Sequence, residues 1–148
     1  MIKIAIGSDH GGFLYKEEII KFLKAKGFEV IDEGCFSIER ANYAEFALKV
    51  AKSVASKESE FGVIICNSGE GVSIAANKVK GIRAGIGYND EVSHLLREHN
   101  DANIITFGAN FQTLDEVKKR ILIFLNSKFE GGRHLARVKT ITDFENQN

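Results

Sequence analysis

A cysteine followed by a small polar loop stands near the middle of the 148-residue chain. Cys66 ends an apolar run, Val63 to Ile65, and the loop Asn67 to Gly71 leads into good helix formers, Val72 to Lys78. In such a strand–loop–helix unit, backbone N–H groups converge at a helix N-terminus and can hold an anion. A cysteine there can act as a nucleophile or base, because a helix N-terminus favours the thiolate. We therefore expect this loop to be the reaction centre.

The glycine loop does not match the motifs that bind nucleotides. Gly69-Glu70-Gly71 does not extend to G-x-G-x-x-G, because Ile74 occupies the last position, and no Gly-Lys-Ser/Thr follows as in a P-loop. A smaller anion, such as an enediolate oxygen or a phosphate, suits the loop better. The alternative for Cys66 is a structural role, since a cysteine at a strand end is often only a small buried hydrophobe.

Apolar spacing predicts five strands that alternate with five helices. The strands fall at residues 2–6, 28–31, 63–65, 82–86 and 103–107, and the helical stripes at residues 15–23, 43–54, 72–78, 92–99 and 114–124. Thr113-x-x-Glu116 is typical of a capping box before the last helix. This alternation favours an α/β, three-layer Rossmann-like fold over residues 1–148 as a single domain. We predict a five-stranded parallel sheet in the order 2-1-3-4-5, plus a C-terminal helical tail.

In that order, the first and third strands are neighbours and their connections leave on opposite faces of the sheet. Ligands bind in the crevice at such a switch point, outside the carboxyl ends of the strands. The loops after these two strands flank the crevice, so Asp9, His10 and Ser68 are expected beside Cys66. Asp9 could orient a substrate hydroxyl or only cap the first helix, and His10 could bind a ligand or only cap a turn.

His99 lies at the end of the fourth predicted helix, which places it at the opposite edge of the sheet from Cys66. Arg133, His134 and Arg137 follow the fifth helix, which also ends at that edge. These residues are either structural or part of a neighbouring subunit's site, and arginines beside glycines suit a phosphate. A two-fold dimer that sets this edge against the partner's crevice would bring both groups together.

Composition argues against several kinds of partner. Formal net charge is zero, with 44% hydrophobic and 27% charged residues, so neither nucleic acid nor a membrane surface is expected as a partner. No apolar run approaches the ~20 residues of a membrane span, and the N-terminus is typical of a strand rather than a signal peptide. Cys35 and Cys66 lack metal-type Cys/His spacing, so reduced thiols in a cytoplasmic protein without metal or cofactor are expected. Cys35 is interpreted as structural and away from the crevice, and His94 as a surface residue.

Five segments in this order resemble type B ribose 5-phosphate isomerases, a group within the ribose/galactose isomerase family. They are residues 7–10 (GSDH), 66–78 (CNSGEGVSIAANK), 81–84 (GIRA), 97–103 (REHNDAN) and 130–134 (EGGRH). The resemblance covers about residues 2–140 without large gaps. Five motifs in one order are much more specific than any one of them alone.

The resemblance implies a metal-free, cofactor-free aldose–ketose isomerase of pentose phosphate metabolism, which interconverts ribose 5-phosphate and ribulose 5-phosphate. It implies that Cys66 is the base that moves a proton between C1 and C2, and that His99 helps to open the furanose ring. Ser68 and Asp9 would assist catalysis. The implied substrate-binding residues are Asp9, His10, Asn67, Ser68, Gly69, Glu70, Gly71, Asn100, Arg133 and Arg137. A homodimer or a dimer of dimers, with active sites shared between subunits, is implied as well.

The chain departs from the family pattern at two positions near the predicted site. Asn67 stands where the family usually has glycine, although asparagine keeps its backbone N–H and tolerates positive φ. Asn110 stands where many members have an arginine for the phosphate, so affinity or sugar preference can differ.

Two alternatives therefore stay open: an isomerase of a six-carbon sugar phosphate, such as allose or galactose 6-phosphate, and a non-catalytic sugar-phosphate-binding module. The presence of both Cys66 and His99 in one chain favours the pentose enzyme. A receiver-like signalling domain, which shares the sheet order, would need an aspartate in place of Cys66.

Overall fold

A five-stranded parallel sheet forms the centre of the computed structural model, which describes residues 1–147. Its strands, named in chain order, are β1 (Lys3–Ser8), β2 (Glu29–Asp32), β3 (Phe61–Cys66), β4 (Ala84–Ile86) and β5 (Ile104–Gly108). β1 and β3 are buried along almost their whole length, because helices cover both faces of the sheet.

Six α-helices and two short 3₁₀ helices lie within the described residues. The α-helices are α1 (Phe13–Ala25), α2 (Tyr43–Ala55), α3 (Glu70–Ala76), α4 (Asp90–Glu98), α5 (Leu114–Asn126) and α6 (Leu135–Asn146), and the 3₁₀ helices are His10–Gly12 and Gly132–His134. Local sequence signals determine where several of the helices begin or end. Gly27, with φ +93°, follows the end of α1, and Thr113 and Glu116 form the predicted capping box before α5.

Apolar side chains pack on both faces of the sheet and make it the middle of three layers. On one face, α1 and α5 contribute residues such as Ile19 and Phe124, and Leu96 of α4 packs beside them. On the other face, α2 and α3 contribute Val50 and Val72. The predicted three-layer α/β class is confirmed.

The predicted strand order was wrong at one edge, because the observed order is β2-β1-β3-β5-β4. β5 is buried throughout and pairs with both β3 and β4, whereas β4 has three half-buried residues. A buried apolar strand belongs inside a parallel sheet, and a short strand is suited to its edge. The exchange leaves β1 and β3 as neighbours, so the predicted crevice lies at an unchanged position.

Helix α6 is the predicted helical tail, and it buries none of its own residues. Leu135 and Ile141 on this helix are 58% and 48% exposed. A helix of this length is only marginally stable without packing, so the exposed apolar side chains are notable. Neither α6 nor any other helix within residues 1–147 is long and apolar enough to span a bilayer.

Candidate active site

Cys66 is the last residue of β3, at the carboxyl edge of the sheet, where it pairs with Gly108 of β5. The residue is 5% exposed, and its Sγ accepts a 3.1 Å hydrogen bond from the backbone N–H of Gly69. The loop therefore holds the sulfur close to a backbone amide.

The loop after Cys66 is tied to the neighbouring elements. Gly69 adopts φ +84°, which favours glycine, and a Cβ at Gly108 would lie 2.5 Å from the Ser68 backbone. Thr106 Oγ1 donates to the Gly69 carbonyl at 3.2 Å and lies 2.6 Å from Ser73 Oγ. Thr106 was not predicted to support the site. The one signal for it in the sequence is a hydroxyl inside an otherwise apolar strand.

Asp9 and the residues after it form the other wall of the crevice. The Asp9 side chain is buried, and its Oδ1 accepts hydrogen bonds from the N–H groups of Gly11 at 2.9 Å and Gly12 at 3.2 Å. Asp9 is thus a helix cap, and its role toward a substrate stays a prediction. His10 Nδ1 accepts a hydrogen bond from the Ala41 N–H at 3.1 Å, which leaves Nε2 to carry the proton of the neutral ring.

Asn67 contacts the opposite wall at Gly11. A Cβ added at Gly11 would lie 2.0 Å from Asn67 Oδ1, so the amide occupies space that only a glycine leaves free. The Asn67 carbonyl accepts a 3.1 Å hydrogen bond from the Asn110 N–H, so the two departures from the family pattern contact each other. Asn67 itself does not adopt a positive φ, so the tolerance of asparagine for that conformation plays no part at this position. In residues 1–147, the non-glycine residues with positive φ are Lys57 and Asp101.

Tyr43 also belongs to the crevice, although its spacing had assigned it only to a helical stripe. A Cβ at Gly71 would lie 2.5 Å from Cε1 of Tyr43, so the ring covers the end of the glycine loop. The residue is 43% exposed at the first position of α2. Nothing in its spacing distinguishes it from the buried residues of that stripe.

Ser68 and Glu70 line a cavity of about 370 Å³, together with Ile86, Tyr88, Phe111 and Gln112. Ser68 Oγ accepts a 3.2 Å hydrogen bond from the Glu70 N–H. Tyr88 and Phe111 were not predicted as site residues, and both are largely exposed. The crevice side of the molecule thus combines polar loop groups with aromatic walls.

A second cavity, of about 470 Å³, is lined by the predicted residues His99, Asn100 and Arg137 and by Arg83, Ala84 and His134, among others. It lies at the amino-terminal edge of the sheet, where Ala84 pairs with Ile104. Ile104 and Gly108 are four residues apart along β5, or about 13 Å at the rise of a parallel strand. His99 and Cys66 therefore lie at opposite edges of one chain, as the topology predicted.

His99 stacks on His134, with ring centroids 4.1 Å apart and planes inclined by 17°. Only about 10% of the His134 side chain is exposed, and Nε2 has no hydrogen-bond partner in residues 1–147. Burial lowers the pKa of His134, and the charges of His99 and Arg133 lower it further. Arg133 and Arg137 are exposed, and Arg137 Nη1 donates to the Arg133 carbonyl at 2.6 Å.

Cys35 lies closer to the crevice than its place in the chain suggested. Its N–H donates to the Ser8 carbonyl at 2.9 Å, and its Sγ is 3.9 Å from Ser8 Oγ, next to Asp9. Cys35 and Cys66 are both buried free thiols. His94 is a partly exposed residue whose Nδ1 lies 2.7 Å from Ser127 Oγ.

The fold is that of a doubly wound α/β protein, a class in which ligands bind at the switch point of the parallel sheet, where this crevice lies. The family model described as Ribose/Galactose Isomerase matches residues 4–141. Ribose-5-phosphate isomerase B of Escherichia coli (strain K12) is 45% identical over 145 residues, covering 98% of this chain and 97% of the relative. A probable ribose-5-phosphate isomerase B of Mycoplasma genitalium is 38% identical over 146 residues, covering 97% and 96%.

Solved structures show the same similarity. Ribose-5-phosphate isomerase B of Clostridium thermocellum superimposes with a TM-score of 0.97 at 47% identity, covering 99% of both chains. The Mycoplasma genitalium enzyme with bound ribulose-5-phosphate gives a TM-score of 0.95 at 37% identity, covering 99% of this chain and 98% of the other. The chain belongs to the ribose/galactose isomerase family, and it is an isomerase.

Proposed function

We propose that this chain interconverts ribose 5-phosphate and ribulose 5-phosphate through an enediolate, with Cys66 as the base. Support comes from full-length relatives named ribose-5-phosphate isomerase B, one of them with ribulose-5-phosphate bound. The observation that carries the mechanism is the 3.1 Å hydrogen bond from the Gly69 N–H to the Cys66 sulfur at the switch point. This contact shows that one loop contains both the proposed base and backbone N–H donors.

In the proposed reaction, the Cys66 thiolate takes the proton from C2 of the open-chain aldose, and the electron pair moves to O1. The O2 proton then moves to O1, and the thiol returns its proton to C1, which leaves a carbonyl at C2. Backbone N–H groups of the loop other than that of Gly69, which bonds the sulfur, stabilise the oxyanion, a contribution worth about 10²–10³ in rate for one donor. Binding of the phosphate fixes the sugar so that one base can reach both carbons.

The ring-opening and phosphate-binding groups would come from a second copy of the chain in a homodimer or a dimer of dimers. His99 of one subunit would help Asp9 of the other to open the furanose ring, because the two lie at opposite edges within one chain. The exposed arginines beside His134 would bind the phosphate. Support for this assembly comes from α6, which buries none of its residues and exposes Leu135 and Ile141.

The activity is tested on purified protein with ribose 5-phosphate, following the formation of ketose with and without a chelator. We expect conversion that the chelator does not reduce. Cys66→Ala should lower kcat by at least about 10²-fold, the scale of general acid–base catalysis. Cys35→Ala is the matched control, because Cys35 is 4% exposed and Cys66 5%. Substantial activity in Cys66→Ala would contradict the base, and no conversion by the unmodified chain would contradict the substrate.

A six-carbon sugar phosphate is the second candidate substrate, because Asn110 supplies no positive charge at the crevice. Comparison of kcat/KM on ribose 5-phosphate with that on allose and galactose 6-phosphates separates the two. A higher value on a hexose phosphate would reassign the substrate, and binding without turnover would indicate a sugar-phosphate-binding module. The two free thiols support a cytoplasmic location. The relatives named ribose-5-phosphate isomerase B support a place in pentose phosphate metabolism.

A further inference from the structure

We propose that His99, Glu130 and His134 form a binding site for a divalent transition-metal ion such as Zn²⁺, and that the bound ion inhibits the isomerase. The ligand atoms of these side chains all lie within 4.8 Å of one another. Imidazole nitrogens and carboxylate oxygens are good ligands for Zn²⁺, and three of them leave one position for water. Only the inhibition rests on the proposed function, through the role given to His99.

The state of His134 is an independent reason to expect a ligand here. Its Nε2 is buried, has no hydrogen-bond partner in residues 1–147, and lies 3.6 Å from Glu130 Oε2. Buried polar atoms normally have a hydrogen-bond partner, so a nitrogen without one beside a carboxylate indicates that a ligand is missing here. A metal ion between the two atoms would satisfy the nitrogen.

The backbone holds two of the three ligands in place without the ion. The Glu130 N–H donates to the Glu98 carbonyl at 3.0 Å, and the His134 N–H to the Gly131 carbonyl at 2.9 Å. Gly131 and Gly132 both have positive φ, at 73° and 51°, which turns the chain sharply between the two ligands. The site is therefore largely formed beforehand, and its order in the sequence is Glu130-x-x-x-His134 with His99 supplied by α4.

The third ligand must move slightly. The His99 and His134 rings lie 4.1 Å apart and nearly parallel, whereas Zn–N bonds of about 2.0–2.1 Å require both nitrogens to face one ion. His99 has room to tilt, since 30% of its side chain is exposed. The carboxylates of Glu98 and Glu130 offset the positive charge of the nearby arginines.

Occupation of this site would remove His99 from catalysis. An ion bound to the His99 ring takes up an imidazole lone pair and fixes the ring, so the imidazole can no longer accept a proton during ring opening. The ion is therefore an inhibitor and not a cofactor. Because the three ligands come from one chain, each chain should bind one ion regardless of how the subunits assemble.

Metal binding is tested by titrating Zn²⁺ into the metal-free, full-length protein by calorimetry, with Co²⁺ absorption as a second readout. We expect one ion per chain. Glu130→Gln and His134→Asn should each weaken binding by at least about tenfold, since even outer partners of a ligand are worth about 10–100-fold. Glu130 is exposed, so Glu130→Gln keeps the fold intact if His134→Asn does not.

Two control variants identify competing sites. His94→Gln removes a different His–Glu pair, His94 with Glu98 at 2.6 Å, and Cys66→Ser removes the thiol. Unchanged affinity in both supports the proposed site. Equal Zn²⁺ affinity in Glu130→Gln, in His134→Asn and in the unmodified chain, or loss of binding in Cys66→Ser, would overturn it. Zn²⁺ binding without loss of isomerase activity would overturn only the proposal that the ion inhibits the enzyme. The calorimetric test of Zn²⁺ binding remains valid even if ribose 5-phosphate is not the substrate.

Discussion

Gly11 and Gly12 are adjacent in the crevice, yet a Cβ at each would meet a different kind of neighbour. At Gly11 it would meet Asn67 Oδ1, the end of an exposed side chain that can turn away. At Gly12 it would lie 2.4 Å from the Ile65 carbonyl oxygen, in a buried strand that cannot move. We expect Gly12→Ala to lower the free energy of unfolding by about 1–3 kcal/mol in urea titrations. Gly11→Ala should lower it by less than about 0.5 kcal/mol.

The Gly11→Ala variant should instead act on the site. Displacement of the Asn67 amide should raise KM for the sugar phosphate, and the added change Asn67→Gly should restore it because the collision is gone. Equal losses of stability in Gly11→Ala and Gly12→Ala would contradict this distinction between a movable and a fixed neighbour.

Glu33, just after β2, gives a prediction about pH. Burial and then the charge of Glu58 raise the pKa of Glu33 above its ordinary 4.5, against a lowering by Lys49. The folded state therefore binds this proton more tightly than the unfolded chain does, and stability falls as the pH rises through the folded pKa. We expect Glu33→Gln to raise the free energy of unfolding at neutral pH, with the gain disappearing below about pH 4.

The measurement is urea unfolding across a pH series, with Glu39→Gln as the control. Glu39 is exposed in the same loop and does not act on the Glu33 carboxyl. The same pH profile in both variants would rule out a specific effect of Glu33.

The place of a residue at the crevice could be predicted where its type is rare and it stands at or just after the end of a predicted strand. Cys66 and Asp9 could be placed at the crevice because each ends or follows a predicted strand. Tyr43 and Thr106 could not, because their contacts with the loop depend on which strands and helices pack side by side. Asn67 was noticed only as a departure, and its contact with Gly11 needs three-dimensional structure.

At the scale of elements, the link between β5 and α3 is a buried pair of hydroxyls. Thr106 Oγ1 and Ser73 Oγ lie 2.6 Å apart, and the threonine also donates to Gly69 in the loop. Thr106→Val should cost about 1–3 kcal/mol, because it leaves the Ser73 hydroxyl buried without its partner, and it should lower kcat by loosening the loop. Urea unfolding and steady-state kinetics measure both effects.

The double variant Thr106→Val/Ser73→Ala tests the cause. Replacing both partners of a buried hydrogen bond can be nearly neutral, so stability should largely return while kcat stays low. Stability that falls by the sum of the two single losses would show that the hydroxyls act independently.

The five strands and five of the six α-helices could be predicted from apolar spacing, but the lateral order of β4 and β5 could not. Periodicity shows which residues are buried and is silent on which strands are neighbours. The short length of β4 has a local reason as well. The Asn77 side chain donates to the Ala84 carbonyl at 2.9 Å and accepts from its N–H at 2.8 Å, which pairs the edge strand where no neighbour follows.

At the scale of the whole molecule, the proposed sharing of each site between two chains predicts complementation. Cys66→Ala and His99→Gln chains should each be nearly inactive alone. Coexpressed, their mixed dimers should contain one intact site, giving about a quarter of normal activity if pairing is random in a two-fold dimer. Activity assays on the mixture against the separate variants measure this. A mixture no more active than its components would contradict the shared site.

The separation of the two cavities by the height of the sheet has a consequence for kinetics. If each chain holds the base at one edge and the ring-opening group at the other, a lone chain can complete neither half of the reaction. Below the dissociation constant of the dimer, the rate would then rise with the square of the chain concentration. Specific activity would therefore fall as the protein is diluted. The total reaction rate would respond more steeply to the amount of protein expressed than the rate of a monomeric enzyme does.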